Sequence, residues 1–390
     1  MMIRHTGAQI AFQPRIRKSG FFEAAWRYGC RNYSVYNRTY ISGTFSDPIE
    51  EYWNVVENAA LWPVMGERQV EISGADATRF VQYLTSRDMS KCAVGQCKYA
   101  PIISPDGGML SDPIILRLEK ERYWLSTSDW DLETWARGVS IHAGMQVSIR
   151  DAHVSVLQVQ GPKSPAVMAE TFGQDILDLR YYWLMRVPFE ATTVVVSRTG
   201  WSGEFGYEIY LEDAAFSDAL FDALMKVGKS FNLAPGAVNQ IRRIESGILS
   251  AGVDFTPSET PFDVGLGRLV EFDSGAEFIG RDALLEKKDK PLCKRLVGLT
   301  IEGPALASNE ETWRLTSADA EAGRLTSLSY SPRLEKNIAL GVVAAEFAGS
   351  GTRLDVSTWD GWRPATVSIL PFLAKKQAGE ARSLIGGNTV

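Results

Sequence analysis

The residues able to do chemistry concentrate in a few short stretches. One is Thr199-Gly200-Trp201-Ser202-Gly203-Glu204-Phe205-Gly206-Tyr207-Glu208. Its glycines let the backbone turn sharply or approach a ligand closely. Trp201 and Tyr207 offer flat faces, and Glu204 or Glu208 can accept two hydrogen bonds from adjacent N–H groups of a heterocycle. The same stretch also reads as a glycine-rich hairpin with solvated acids. A second stretch is Asp106-Gly107-Gly108-Met109-Leu110-Ser111-Asp112-Pro113. Asp112 falls among Leu110, Ile114, Ile115 and Leu116, and a carboxylate in an apolar strand needs a partner or a chemical task. The plainer alternative is an acid that braces a hairpin. Arg242-Arg243, followed by Glu245 in a helical pattern, suits either a ligand carboxylate or an internal salt bridge.

Other chemistries lack their residues. His5, His142 and His153 form no cluster, which argues against histidine-based metal catalysis and a Ser-His-Asp relay. Cys92 and Cys97 are the only close pair among four cysteines, too little for structural zinc and in keeping with a reducing compartment. Gly265 and Gly267 do not complete a dinucleotide fingerprint, because Val270 stands where the third glycine belongs. The 390 residues carry 41 Lys+Arg against 47 Asp+Glu, a net charge of −6. A broad grip on nucleic acid is therefore not expected. No apolar run reaches the roughly 18 residues of a membrane span, and the N-terminus lacks the apolar core of a secretory signal. The expectation is a cytoplasmic protein without metal, nucleic acid or membrane among its partners.

Regular elements must carry these stretches. Asp47-Pro48 opens a helical pattern running through Ile49, Trp53, Val56 and Ala60 into Leu61-Trp62. ERQVEISG alternates like a strand, and KYAPII and MLSDPIILRL flank the Pro105–Gly108 turn as a hairpin. YWLSTS is a further strand, and Asp129–Gly144 a helix. VSVLQVQG reads as a strand and PKSPAVMAETFG as a helix with proline at its start. Strands at Thr193–Ser197 and Tyr207–Leu211 flank the Trp201 loop, and AFSDALFDALMKVGKSF is an amphipathic helix. After Cys293, short strands separated by turn residues predict a small β-barrel or sandwich. The polar tail after Phe372 reads as a fraying end.

Taken together, TGWSGEFGYEIYL, DGGMLSDPI, QVQGPKS, RRIESGIL and FIGRDAL stand in the order seen in folate-dependent aminomethyltransferases, the glycine cleavage T-protein family. The resemblance runs from about Tyr33 to Leu370. Within that superfamily the chain is most similar to the dimethylsulfoniopropionate demethylases, through RIRKSG, YSVYN, EEYW, ERQVEISG, GQCKYAPII, QIRRIES and SPRLEKNIA. The resemblance implies an α+β fold: a three-domain cloverleaf around a central folate channel. Residues 1–60 and 155–285 would form a discontinuous folate-binding domain, 61–154 an inserted α+β domain, 290–373 a C-terminal β-barrel and 374–390 a polar tail.

It also implies roles. Tyr99, Trp201, Glu208, Tyr210 and Arg243 match folate-contacting positions, and Asp112 matches the active-site aspartate. Ser126 matches a serine beside the methyl donor. Tetrahydrofolate would be the methyl acceptor, taking a methyl group at N5 from a small onium-type donor, dimethylsulfoniopropionate or a related compound. A sulfonium leaves as a neutral thioether, so no general acid is required. The chain departs from the demethylases on the donor side: Pro63 replaces a carboxylate in Trp62-Pro63-Val64-Met65-Gly66, Arg38 replaces a histidine after Tyr36-Asn37, and Trp130 interrupts Ser128-Asp129-Trp130-Asp131. Arg38 and Trp130 are therefore candidate donor contacts. An N- or O-methyl donor, or folate binding without catalysis, is the alternative. A monomer or homodimer is expected.

Overall fold

The computed structural model describes residues 10–127 and 131–385. Its first sheet has six strands in the order Leu184–Phe189, Thr192–Ser197, Gly206–Leu211, Ser155–Gln160, Ala59–Pro63 and Leu233–Pro235. Only the last pairing is parallel. Strand Ser155–Gln160 alternates, and both of its faces are buried. Leu157 and Val159 point into a core shared with helices Ser164–Phe172 and Ser217–Gly228. Gln158, in register with Glu208 and Trp62, lies on the opposite face.

The second sheet is antiparallel, ordered Ser148–Asp151, Arg68–Ser73, Arg122–Thr127, Ile114–Glu119 and Cys97–Tyr99. Helices Ala77–Leu84 and Leu132–Ala143 cover its Val70, Ile72, Tyr123 and Leu125 face. Asp131 caps the second helix by accepting from the Thr134 N–H, and Gly144 ends it in the left-handed region. The other face meets the first sheet, with Cys97, Leu116 and Trp124 packing on Val156, Val195 and Tyr210. Polar side chains at alternate positions on both strands are thus enclosed between two sheets. Among the described residues no helix is long and apolar enough to cross a membrane.

The third unit is a closed six-stranded barrel, Lys294–Ile301, Lys336–Ala344, Ala320–Ser331, Trp313–Ser317, Arg353–Thr358 and Gly361–Ser368. It is the barrel that the turn-punctuated strands predict. The fold class is the expected one, α+β with a C-terminal barrel.

Three local expectations are corrected. The helix opened by Pro48 stops at Glu57, and Ala59–Pro63 is a strand. Backbone pairing with Leu157–Gln160 on one side and Leu233–Pro235 on the other outweighs the helical spacing of Ala60. The first sheet accordingly runs through Pro63, past the boundary expected after residue 60. The polar tail docks as well: Gln377 is buried and its Nε2 donates to the Gly200 carbonyl at 2.7 Å. The Lys376 N–H donates to the Gly203 carbonyl at 2.7 Å, and Arg198 Nη2 to that of Gln377 at 2.7 Å. Internal hydrogen bonds hold this segment, and Ala381 further along it is buried in the core of the first sheet.

Candidate active site

Glu208 lies mid-strand in Gly206–Leu211, facing the second sheet, and is 4% exposed. Gln158 Nε2 donates to its Oε1 at 2.5 Å, and Tyr210 donates to Oε2 at 2.9 Å. Thr199 also donates to Oε2. Burial nevertheless raises this carboxyl above its ordinary range, with the three donors pulling it back. Gln160, on the same face, leaves no room for a Cβ at Gly200 or Gly206, so these loop glycines permit a close backbone approach.

Opposite stands a second polar group. Ser126 hydrogen-bonds to Glu67 and receives Gln69 Nε2 at 2.8 Å. Burial raises Glu67 well above its ordinary range, and the charge of Glu208 adds to the effect. Glu67 is absent from the residues that sequence motifs single out. A signal for it exists: Glu67, Gln69 and Glu71 alternate with Val70 and Ile72. Read locally, that polar stripe faces water; in the fold Gln69 and Glu71 are buried and Glu67 is half-buried.

Asp112 sits between strands Met109–Ser111 and Ile114–Glu119, where the Tyr99 phenol donates to its Oδ2 at 2.7 Å. Burial is the main cause that pushes Asp112 up to about 7, and the charge of Asp254 adds to it while Tyr99 opposes it. Asp254 in turn pairs with Arg243 at 2.7 Å and accepts from Ser327 at 2.7 Å and Thr326 at 2.6 Å on the barrel. Asp112 therefore stands where all three units meet. Its hairpin is pinned there by the Met109 N–H donating to the Glu259 carbonyl at 2.8 Å.

Arg243 lies on helix Gln240–Glu245, buried, with its donors directed to Gln240, Ile248, Asp254 and Ser327. Its guanidinium carbon is 5.3 Å from the Trp201 ring centroid. The internal salt bridge is thus present, and the face of Arg243 supports Trp201. Beneath the loop, Arg242 pairs with Glu204 at 2.9 Å and with Glu245. Glu204 therefore has an internal partner.

The structure brings Tyr99, Asp112, Ser126, Glu208 and Tyr210 to the inter-sheet region and its rim. Arg38 stands apart. It lies in the left-handed turn Asn37-Arg38 between strands Tyr33–Tyr36 and Thr39–Ser42 and pairs with Asp131 at 3.0 Å, its side chain 72% exposed. Trp130 lies outside the described residues. Pro63 is in register with Leu157, on the helix-covered face opposite Glu208. The carboxylate missing at that position therefore takes nothing from the Glu208 side.

A three-unit α+β protein with two facing sheets, a C-terminal barrel and an aspartate at their junction has the architecture of the glycine cleavage T-protein. The comparisons agree: residues 8–274 match the family model of the GCVT N-terminal domain, and residues 294–373 that of the glycine cleavage T-protein C-terminal barrel domain. The chain belongs to the glycine cleavage T-protein family. It is similar to dimethylsulfoniopropionate demethylase DmdA of Ruegeria pomeroyi, 35% identical over 360 residues that cover 92% of this chain and 98% of the relative. It is also similar to an aminomethyltransferase of Desulfitobacterium hafniense, 31% identical over 344 residues, 86% of this chain and 92% of the relative. The structure of glycine cleavage system aminomethyltransferase T from Bartonella henselae superposes with a TM-score of 0.84, covering 93% of this chain and 99% of that chain at 23% identity, a likeness of fold.

Tetrahydrofolate is the co-substrate of this family, and the residues present suit it. Trp201 offers a half-buried ring. The buried Glu208 carboxylate and the Gln158 amide oxygen, unpartnered among the described residues, offer acceptors for a heterocycle rich in N–H groups.

Proposed function

We propose that this protein is a tetrahydrofolate-dependent methyltransferase that removes a methyl group from a small onium-type donor, dimethylsulfoniopropionate or a related compound. The observation that carries the reading is the Glu208 array, a buried carboxylate held by Gln158, Thr199 and Tyr210 on the strand that follows the Trp201 loop. When bound, tetrahydrofolate supplies the nucleophilic nitrogen that accepts the methyl group.

The chain's own residues bind, orient and exclude water. Glu208 accepts hydrogen bonds from the folate edge, Trp201 stacks on it, and Tyr210 and Tyr99 line the site. Arg243 acts through Trp201. Ser126 belongs to the donor side, where the family resemblance also puts Trp130; Arg38, paired with Asp131, stands apart from it. Asp112, oriented by Tyr99, favours a cation beside it. A donor cation lowers the pKa of Asp112, so donor binding and ionisation of the carboxylate reinforce each other. No proton need be delivered to the leaving group, because the thioether leaves neutral; the proton that N5 carries before transfer would be lost to solvent. Cys30, Cys92, Cys97 and Cys293 are free thiols, which supports a cytoplasmic setting.

The test is to incubate the protein with tetrahydrofolate and dimethylsulfoniopropionate and to follow 5-methyltetrahydrofolate and dimethyl-thioether product together. Folate binding without turnover across sulfonium, N-methyl and O-methyl donors would leave a folate-binding protein.

A further inference from the structure

The reading above leaves the Glu67 group without a charge partner. Gln69 is 1% exposed, and its amide oxygen has no partner among the described residues. Its Nε2 is directed to Ser126, which hydrogen-bonds to Glu67. Glu67 has no basic partner among the described residues, since its neighbour Arg68 pairs with Asp151 at 2.7 Å and reaches Glu133 at 3.7 Å. The titratable groups facing Glu67 are Glu208 and Tyr210, both from strand Gly206–Leu211. Beside it, Gly66 makes room for an aromatic ring: a Cβ there would stand 2.8 Å from Tyr36 Cδ1. Two carboxyls, two unpartnered amide oxygens and no cation form a site short of positive charge. Burial raises Glu67 for that reason.

We propose that Glu67 is the counter-charge of the methyl donor's cation, its carboxylate held by Ser126, which Gln69 in turn orients. The inference rests on the methyltransferase reading and adds to it the residue that selects charge. A cation and a proton compete for the same carboxylate, so binding of a cationic donor releases a proton and strengthens as pH rises.

Calorimetry on the full chain tests it with dimethylsulfoniopropionate and glycine betaine, each against its neutral carbon isostere, 4-methylpentanoate and 3,3-dimethylbutanoate. The wild type should prefer at least one cation by roughly tenfold to a hundredfold, the range of a desolvated charge-assisted contact. The cation, and not its isostere, should release a proton to the buffer. Glu67→Gln should abolish the preference while tetrahydrofolate still binds, and Glu67→Asp should retain part of it. Equal affinity for cation and isostere in both pairs, or full preference in Glu67→Gln, would overturn the proposal. If Glu67→Gln does not fold, Glu67→Asp decides: a reduced preference supports the proposal and full preference overturns it. A wild type that prefers the cation but does not bind tetrahydrofolate would sink the methyltransferase reading and leave the role of Glu67 standing.

Discussion

The Tyr99 phenol, at the end of strand Cys97–Tyr99, donates at 2.7 Å to the carboxylate of Asp112, two residues before the paired strand Ile114–Glu119. This contact orients the Asp112 carboxylate at the junction of the three units and opposes the upward push of burial on it. Asp112→Asn keeps the shape and removes the charge. The loss of a positioned charge in the transition state is worth about 2–4 kcal/mol, roughly 30- to 1000-fold in rate. The fall should appear in kcat/KM for the donor, with folate affinity near wild type and Tm no lower than wild type. A merely structural acid would instead lower Tm and leave turnover of the folded fraction normal. Tm and turnover measured on one preparation separate the two.

Asp112 also predicts a pH profile. Its carboxyl is raised from 3.8 to about 7 in the folded protein. The protonated form is therefore favoured by folding, and that stability is present below the ordinary value and lost as pH climbs through about 7. Relative to wild type, Asp112→Asn should gain Tm across that window. A cationic donor needs the ionised form, so kcat/KM for the donor should rise with pH and level off above about 7. Tyr99→Phe removes a hydrogen bond that holds the value down and should move the rise to higher pH. An unchanged inflection in Asp112→Asn would assign the titration to another group.

Folate affinity should depend on both ends of the Glu208 array. Trp201→Ala removes a stacking face worth about 0.5–1.5 kcal/mol beyond its buried area. Glu208→Gln turns a double acceptor that holds Gln158, Thr199 and Tyr210 into a mixed donor and acceptor. One of those donors is left unpaired, at about 1–3 kcal/mol, and Tm falls together with affinity. Fluorescence titration with tetrahydrofolate checks both variants. Wild-type affinity in both would remove folate from this site.

Deleting residues 374–390 should weaken folate binding without unfolding the barrel. The tail holds the Trp201 loop through Gln377 on Gly200 and Lys376 on Gly203. Its loss leaves those carbonyls to water and the loop less ordered, so KM for folate should rise more than kcat falls. Hydrogen exchange should show faster exchange at 199–206 in the truncated protein; unchanged protection there would refute the clamp.

Much of this protein is legible in its sequence because the relevant forces act over a few residues. The barrel strands after Cys293, the helix at Ser217–Gly228 and the Pro105–Gly108 hairpin follow from spacing, turn residues and caps. Asp112, Glu208 and Trp201 stand out because acids in apolar strands and aromatics among glycines are locally conspicuous. The rest depended on partners far along the chain. Ala59–Pro63 is a strand only because Leu157–Gln160 and Leu233–Pro235 lie on either side of it. Arg243 becomes a support for Trp201 once Asp254 and the barrel's Ser327 take its donors. Glu67 looks like a solvated acid until the second sheet turns its polar stripe toward Glu208. Desolvation and charge coupling are properties of that enclosure, and only the tertiary structure creates it.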